Sequence, residues 1–100
     1  MTIHGIDFSE SALADFCRRH RVARLSLFGS VLTDDFRPDS DVDVLVEFEP
    51  GAKPTLFYLG GMLMELQGLL GREVDLRTPG DLSPYFRQDV LKGSKLLYAA

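Results

Sequence analysis

The run Asp41-Val42-Asp43-Val44-Leu45-Val46 limits what this chain can fold into more than any other stretch. In a helix, at about 100° per residue, Val44 would lie opposite Val42 and Val46 and no single apolar face would form. In a strand, alternate residues share a side. Val42, Val44 and Val46 then make one buried face, and Asp41 and Asp43 project together from the other. The spacing therefore predicts a strand over Asp41–Phe48, closed by Pro50-Gly51. A half-buried strand needs neighbouring strands and a covering layer, so the rest of the chain must supply both.

The flanking segments do so. Ala12, Leu13, Phe16 and Cys17 recur at helical spacing after Asp7 or Ser9, either of which suits an N-cap. This predicts a helix over Ser9–His20, with Arg18, Arg19, Arg21 and Arg24 at its C-terminal end, where the dipole favours positive charge. Val22–Phe28 is rich in strand formers and stops at Gly29-Ser30, followed by a helical turn over Val31–Phe36 and a loop marked by Pro38, Asp39 and Ser40. A second helix is expected over Thr55–Leu70 on the row Leu56, Leu59, Leu63, Leu66 and Leu70, with Gly71 just past its end. Gly60-Gly61 weakens that helix by roughly 1 kcal/mol per residue against alanine. Close packing against another backbone is the expected compensation. Arg72–Thr78 reads as a strand, Pro84–Lys92 as a short helix, and Lys95–Tyr98 as a last strand or extended tail. The order is that of an α/β (α+β) domain: a mixed sheet of three to four strands flanked by helices.

Size and composition agree with one domain over residues 1–100. A chain of 100 residues, 45% apolar and 26% charged, can bury roughly two-thirds of its surface and fold without covalent staples. Its single cysteine, Cys17, allows no internal disulfide and is read as a core residue. Met1–Glu10 has no apolar run of the signal-peptide kind, and Leu56–Leu70 is too short and mixed to span a bilayer, so a cytoplasmic protein without membrane contact is expected. His4 and His20 lack the spacing of a zinc site, and Ser83 and Ser94 have no nucleophile arrangement around them. Tyr58, Tyr85 and Tyr98 are read as packing residues, with self-modification of one of them left as an alternative.

The charge is unevenly spread. The net charge of −4 speaks against direct nucleic-acid binding. Residues 34–50 hold seven acids against one base, Arg37, which fits either a solvated loop or a cation site. Two carboxylates side by side on one strand face repel each other. A hard divalent cation removes that conflict, and Mg²⁺ prefers oxygen ligands shared with phosphates. Asp41 and Asp43 are spaced to hold two such ions roughly 3.5–4 Å apart. Gly29 and Ser30, at a strand-to-helix turn, can cradle an anion through close backbone approach, a hydroxyl and free helical N–H groups. Asp75, which alternates with Val74 and Leu76, becomes a third carboxylate of the cluster if its strand lies beside the first two. Each feature alone is also what a turn or a solvated face shows; the combination describes a nucleoside triphosphate held for in-line attack.

Phe28-Gly29-Ser30, followed by Arg37-Pro38-Asp39-Ser40-Asp41-Val42-Asp43-Val44-Leu45-Val46, resembles the signature of the polymerase β-type nucleotidyltransferases, most nearly their minimal one-domain (MNT) members. The likeness extends weakly through Val74-Asp75-Leu76 to Leu97-Tyr98. It implies the nucleotidyltransferase fold, ATP as substrate, Gly29 and Ser30 binding the triphosphate, and Asp41, Asp43 and Asp75 as catalytic Mg²⁺ ligands. It also implies a partner, a small helical HEPN toxin whose tyrosine receives AMP, with the MNT chain as antitoxin. One departure is the turn after Gly29-Ser30. Many relatives place a basic residue there, whereas this chain has Val31-Leu32-Thr33-Asp34. Two other readings follow: an antitoxin that silences its partner by occlusion alone, and a nucleotidyltransferase for a small hydroxylated acceptor, which the lack of an acceptor domain disfavours.

Overall fold

The computed structural model describes residues 1–100. In chain order the elements are β1 (Thr2–Ile3), β2 (Ile6–Asp7), α1 (Glu10–Arg19), β3 (Val22–Phe28), β4 (Val42–Phe48), α2 (Leu56–Leu70), β5 (Val74–Arg77), α3 (Arg87–Gly93) and β6 (Lys95–Ala99). Single 3₁₀ turns occupy Gly29–Leu32 and Pro79–Asp81. The main sheet has the order β5-β4-β3-β6, with β4 antiparallel to β3 and parallel to β5, and β3 antiparallel to β6. The expected mixed sheet is thus present with four strands, and Lys95–Ala99 is a true edge strand.

Val42, Val44 and Val46 are buried as their alternation requires, and they meet Leu13, Phe16 and Cys17 of α1 and Met62, Leu66 and Leu70 of α2 in one core. Burial pushes the Cys17 thiol up to about 12, which keeps it protonated and unreactive at neutral pH. Ser9 is the N-cap of α1, its hydroxyl accepting from the Ala12 N–H. Thr55 caps α2 in the same way through the Tyr58 N–H. Gly71 ends α2 in the left-handed region, φ 67°, its N–H donating to the Gln67 carbonyl at 2.9 Å. No helix is long and apolar enough to cross a membrane.

Several expectations need correction. The β1–β2 hairpin has no counterpart in the sequence reading. Its two-residue loop, His4-Gly5, has positive φ at both positions (50° and 75°), the geometry that joins two twisted strands tightly. The helical turn falls at Gly29–Leu32, not Val31–Phe36. Val31 is drawn into the core, and Thr33 ends the turn: its hydroxyl donates to the Ser30 carbonyl and accepts from the Asp35 N–H. On α2 the leucine row is displaced. Met62 is in the core, Leu59 and Leu63 are only partly buried, and Leu56 is 86% exposed. The compensation expected for Gly60-Gly61 is absent, because a Cβ at either position would meet nothing within 4 Å. The third strand is shorter than Arg72–Thr78, and α3 starts three residues after Pro84.

Open space around those two glycines has a direct consequence. Gly60→Ala and Gly61→Ala should each stabilise the protein by about 0.5–1 kcal/mol, because alanine costs less backbone entropy in a helix and clashes with nothing here. Thermal or urea unfolding of each variant measures this, and a loss of stability would mean that the helix packs more closely there than described.

Candidate active site

The sheet register brings three of the five sequence-selected residues to one place. At the end of the β3–β4 ladder Phe28 pairs with Asp43, and in the parallel β4–β5 ladder Asp43 pairs with Asp75. Asp43 therefore has Phe28-Gly29 on one side and Asp75 on the other. Asp41 lies one residue before β4 and not within it, because the ladder to β5 opens at Val42, whose N–H donates to the Glu73 carbonyl at 2.9 Å. Asp41 is exposed and Asp43 half-buried.

Gly29 is required here for a reason the sequence did not supply. Its φ of 74° is left-handed, and a Cβ at that position would lie 3.0 Å from Asp43 Cγ and overlap Oδ2. The close approach that glycine permits is thus to the Asp43 carboxylate itself, with the 3₁₀ turn of Ser30 immediately beyond. Ser30 is half-buried, and its carbonyl is taken up by the Thr33 N–H and hydroxyl, both at 2.9 Å.

Burial pushes the Asp43 carboxyl above its ordinary range, and the carboxylates of Asp75 and then Asp41 push the same way, with Arg77 opposing. Arg77 forms a two-point ion pair with Asp75, its Nε and Nη2 lying 3.1 and 3.2 Å from the two carboxylate oxygens. As a donor set, Asp43 and Asp75 on adjoining strand positions, with Asp41 just before β4, have the oxygen chemistry that suits a hard divalent cation. No three His, Cys, Asp or Glu side chains are gathered closely enough to form a ready chelate, however, and Asp75 would have to turn from Arg77 to join one.

Sequence reasoning missed the residues that fix the loop before Asp41. The Arg72 guanidinium donates to the carbonyls of Arg37 (3.1 Å) and Ser40 (2.7 Å) and lies 4.7 Å over the Phe36 ring. Phe36 also stacks on His4 at 4.9 Å, and His4 Nε2 lies 2.8 Å from the Thr33 carbonyl oxygen. A lone arginine at a strand's start and a lone histidine near the N-terminus carry no sequence signal of this role.

Two predictions follow from the Asp43 environment. Gly29→Ala should cost about 1–3 kcal/mol through left-handed strain alone. Part of the added clash should vanish in the Gly29→Ala/Asp43→Ala double variant, so a double-mutant cycle in urea should be non-additive. Asp43→Asn should stabilise the metal-free protein, increasingly so as pH rises. A raised carboxyl pKa contributes stability below its ordinary value and loses it on ionisation above, and asparagine removes that loss. The stability difference between variant and wild type should grow upward from pH 4 and then level off; a difference that shrinks with pH would refute this electrostatic account.

Comparison with known proteins accords with the geometry. The family model described as "Nucleotidyltransferase domain" matches residues 10–97. A Methanocaldococcus jannaschii relative with the provisional name protein adenylyltransferase MJ0435 is 37% identical over 73 residues, 73% of this chain and 76% of its own. Protein adenylyltransferase MntA of Thermococcus cleftensis is 35% identical over 74 residues, 74% and 73% of the two chains. A solved structure described provisionally as a minimal nucleotidyltransferase is 39% identical and superposes with a TM-score of 0.70 over 85% of each chain. A toxin–antitoxin structure with AMP-PNP shares the fold at 21% identity, with a TM-score of 0.73 over 92% of this chain and 74% of the other. From its strand order to its family match, this chain belongs to the nucleotidyltransferase domain family.

Proposed function

We propose that this protein is an Mg²⁺-dependent adenylyltransferase that moves AMP from ATP to a tyrosine of a helical HEPN-type toxin and so acts as its antitoxin. The observation that carries this reading is the register of Asp75 beside Asp43, backed by the side-chain-free Gly29. Asp41, Asp43 and Asp75 would hold the metal, and Gly29-Ser30 would receive the triphosphate. Bound Mg²⁺ would neutralise the charge developing between the α- and β-phosphates. The chain's own part is to align the phosphate with an acceptor hydroxyl and, through Asp75, to take the hydroxyl proton. The names of the relatives support the reaction: two are called protein adenylyltransferases, and a further solved complex pairs an MNT antitoxin with a tri-AMPylated Shewanella oneidensis HEPN toxin.

A surface for the partner lies away from the carboxylates. Phe57, Gly61, Met64 and Gly68 share one face of α2, where Phe57 is 95% and Met64 73% exposed and the glycines present bare backbone. Excess apolar surface beside bare backbone suits a packed helix. The occlusion reading has its own support: Asp75 is held by Arg77, and no base follows Gly29-Ser30.

One experiment separates the two. The partner is mixed with ATP, Mg²⁺ and either wild type or the Asp41→Asn/Asp43→Asn variant, then weighed intact and assayed. Both versions should bind the partner, and wild type alone should add AMP and silence it. Full silencing by the variant with no mass gain would leave occlusion as the function.

A further inference from the structure

At the other end of the sheet is an open cavity of about 360 Å³ lined by Arg21, Phe48, Lys53, Thr55 and Tyr58. The Tyr58 hydroxyl lies 2.6 Å from His20 Nδ1, and His20 Nε2 lies 2.9 Å from Glu65 Oε1. Glu65 is held in turn by the Arg19 guanidinium, which also pairs with Asp15 at 2.8 Å. The arrangement is a hydroxyl on an imidazole oriented by a carboxylate, the order of parts that activates a nucleophile. With Nε2–H donating to Glu65, Nδ1 is left to accept the phenol proton. Neither Arg21 nor Lys53 is in an ion pair, and both border the cavity, so a phosphate arriving at Tyr58 would meet positive charge.

We infer that Tyr58 is itself an acceptor of a nucleotidyl group, modified in trans by the carboxylate centre of a second copy of this chain. This rests on the transferase reading above. Transfer within one copy is excluded by position: Asp43 stands near the start of β4 and Phe48, on the cavity wall, at its end, roughly 17 Å away at the rise of a strand. Tyr58 sits in the first turn of α2 beside exposed Leu56 and Phe57, at a corner free to enter another molecule's cleft. In the step, Tyr58 Oη forms a bond to the α-phosphorus of ATP, the bond from that phosphorus to the α,β-bridging oxygen breaks, and pyrophosphate leaves. The phenol proton passes to His20 Nδ1.

The test uses the full chain in two arms. In the first, an aryl sulfonyl fluoride reports tyrosine nucleophilicity by peptide mass. Tyr58, 43% exposed, should react faster than Tyr85, 89% exposed, and His20→Gln should slow Tyr58 by about 100-fold, the scale of a lost general base. Tyr58 reacting no faster than Tyr85 overturns the inference without reference to any transferase activity. In the second arm, Tyr58→Phe supplies the enzyme and Asp41→Asn/Asp43→Asn supplies the acceptor, with ATP and Mg²⁺. AMP on Tyr58 of the acceptor chain supports the inference. AMP on the helical partner of the preceding test but none on Tyr58 overturns it and leaves the transferase reading standing; AMP on neither overturns both.

Discussion

The β3–β4 ladder is the structural fact on which the rest depends. It runs from Val22 opposite Phe48 to Phe28 opposite Asp43, with β5 and β6 added to its two outer edges. Because the period of a strand is two, a slip of one residue would turn Val42, Val44 and Val46 to the other face and bury Asp43. The core thus fixes the site. The hydrophobic term that holds the valines against α1 and α2 also decides that Asp43 meets Gly29 and Asp75.

That dependence places an electrostatic load on the fold. Half-burying Asp43 near two other carboxylates is unfavourable, and the direction of its shift records the conflict. Arg77 answers part of it through Asp75, two residues away on the same strand and therefore on the same side. The opposite end of the sheet is balanced differently. There Glu65 sits between Arg19 and His20, and its carboxyl is held below its ordinary range chiefly by the Arg19 hydrogen bond, with His20 adding to it. One end of the molecule gathers carboxylates; at the other, Glu65 is paired by Arg19 and His20.

Much of this was legible in the sequence because it rests on short periods. The Val42–Val46 alternation, the capping residue Ser9 and Gly71 after α2 are local signals, and the structure uses them as such, while Thr55, expected inside α2, caps it instead. Asp75 could be named as a candidate, but only strand order could place it beside Asp43, and order is a property of the whole sheet. The misplaced leucine row on α2 has a similar cause. Hydropathy alone does not say which of two apolar faces meets the sheet, and α2 carries leucine or methionine on both. The β1–β2 hairpin escaped because strands of two residues show no alternation. At Gly29 the sequence suggests close approach of a ligand, whereas the structure places the Asp43 carboxylate beside it, which sequence spacing cannot show.

The stack of His4, Phe36 and Arg72 ties the N-terminal hairpin and the end of α2 to the acidic loop. Ordering a residue's backbone costs about 1–2 kcal/mol, and a loose loop would charge that cost to whatever ligand it had to wrap. Here the packing of the aromatic sandwich meets it during folding. Asp41 thus arrives at the mouth of the sheet already positioned, and under the proposed function ligand affinity would be sensitive to residues that touch no ligand. His4, in the β1–β2 hairpin, would belong to that group.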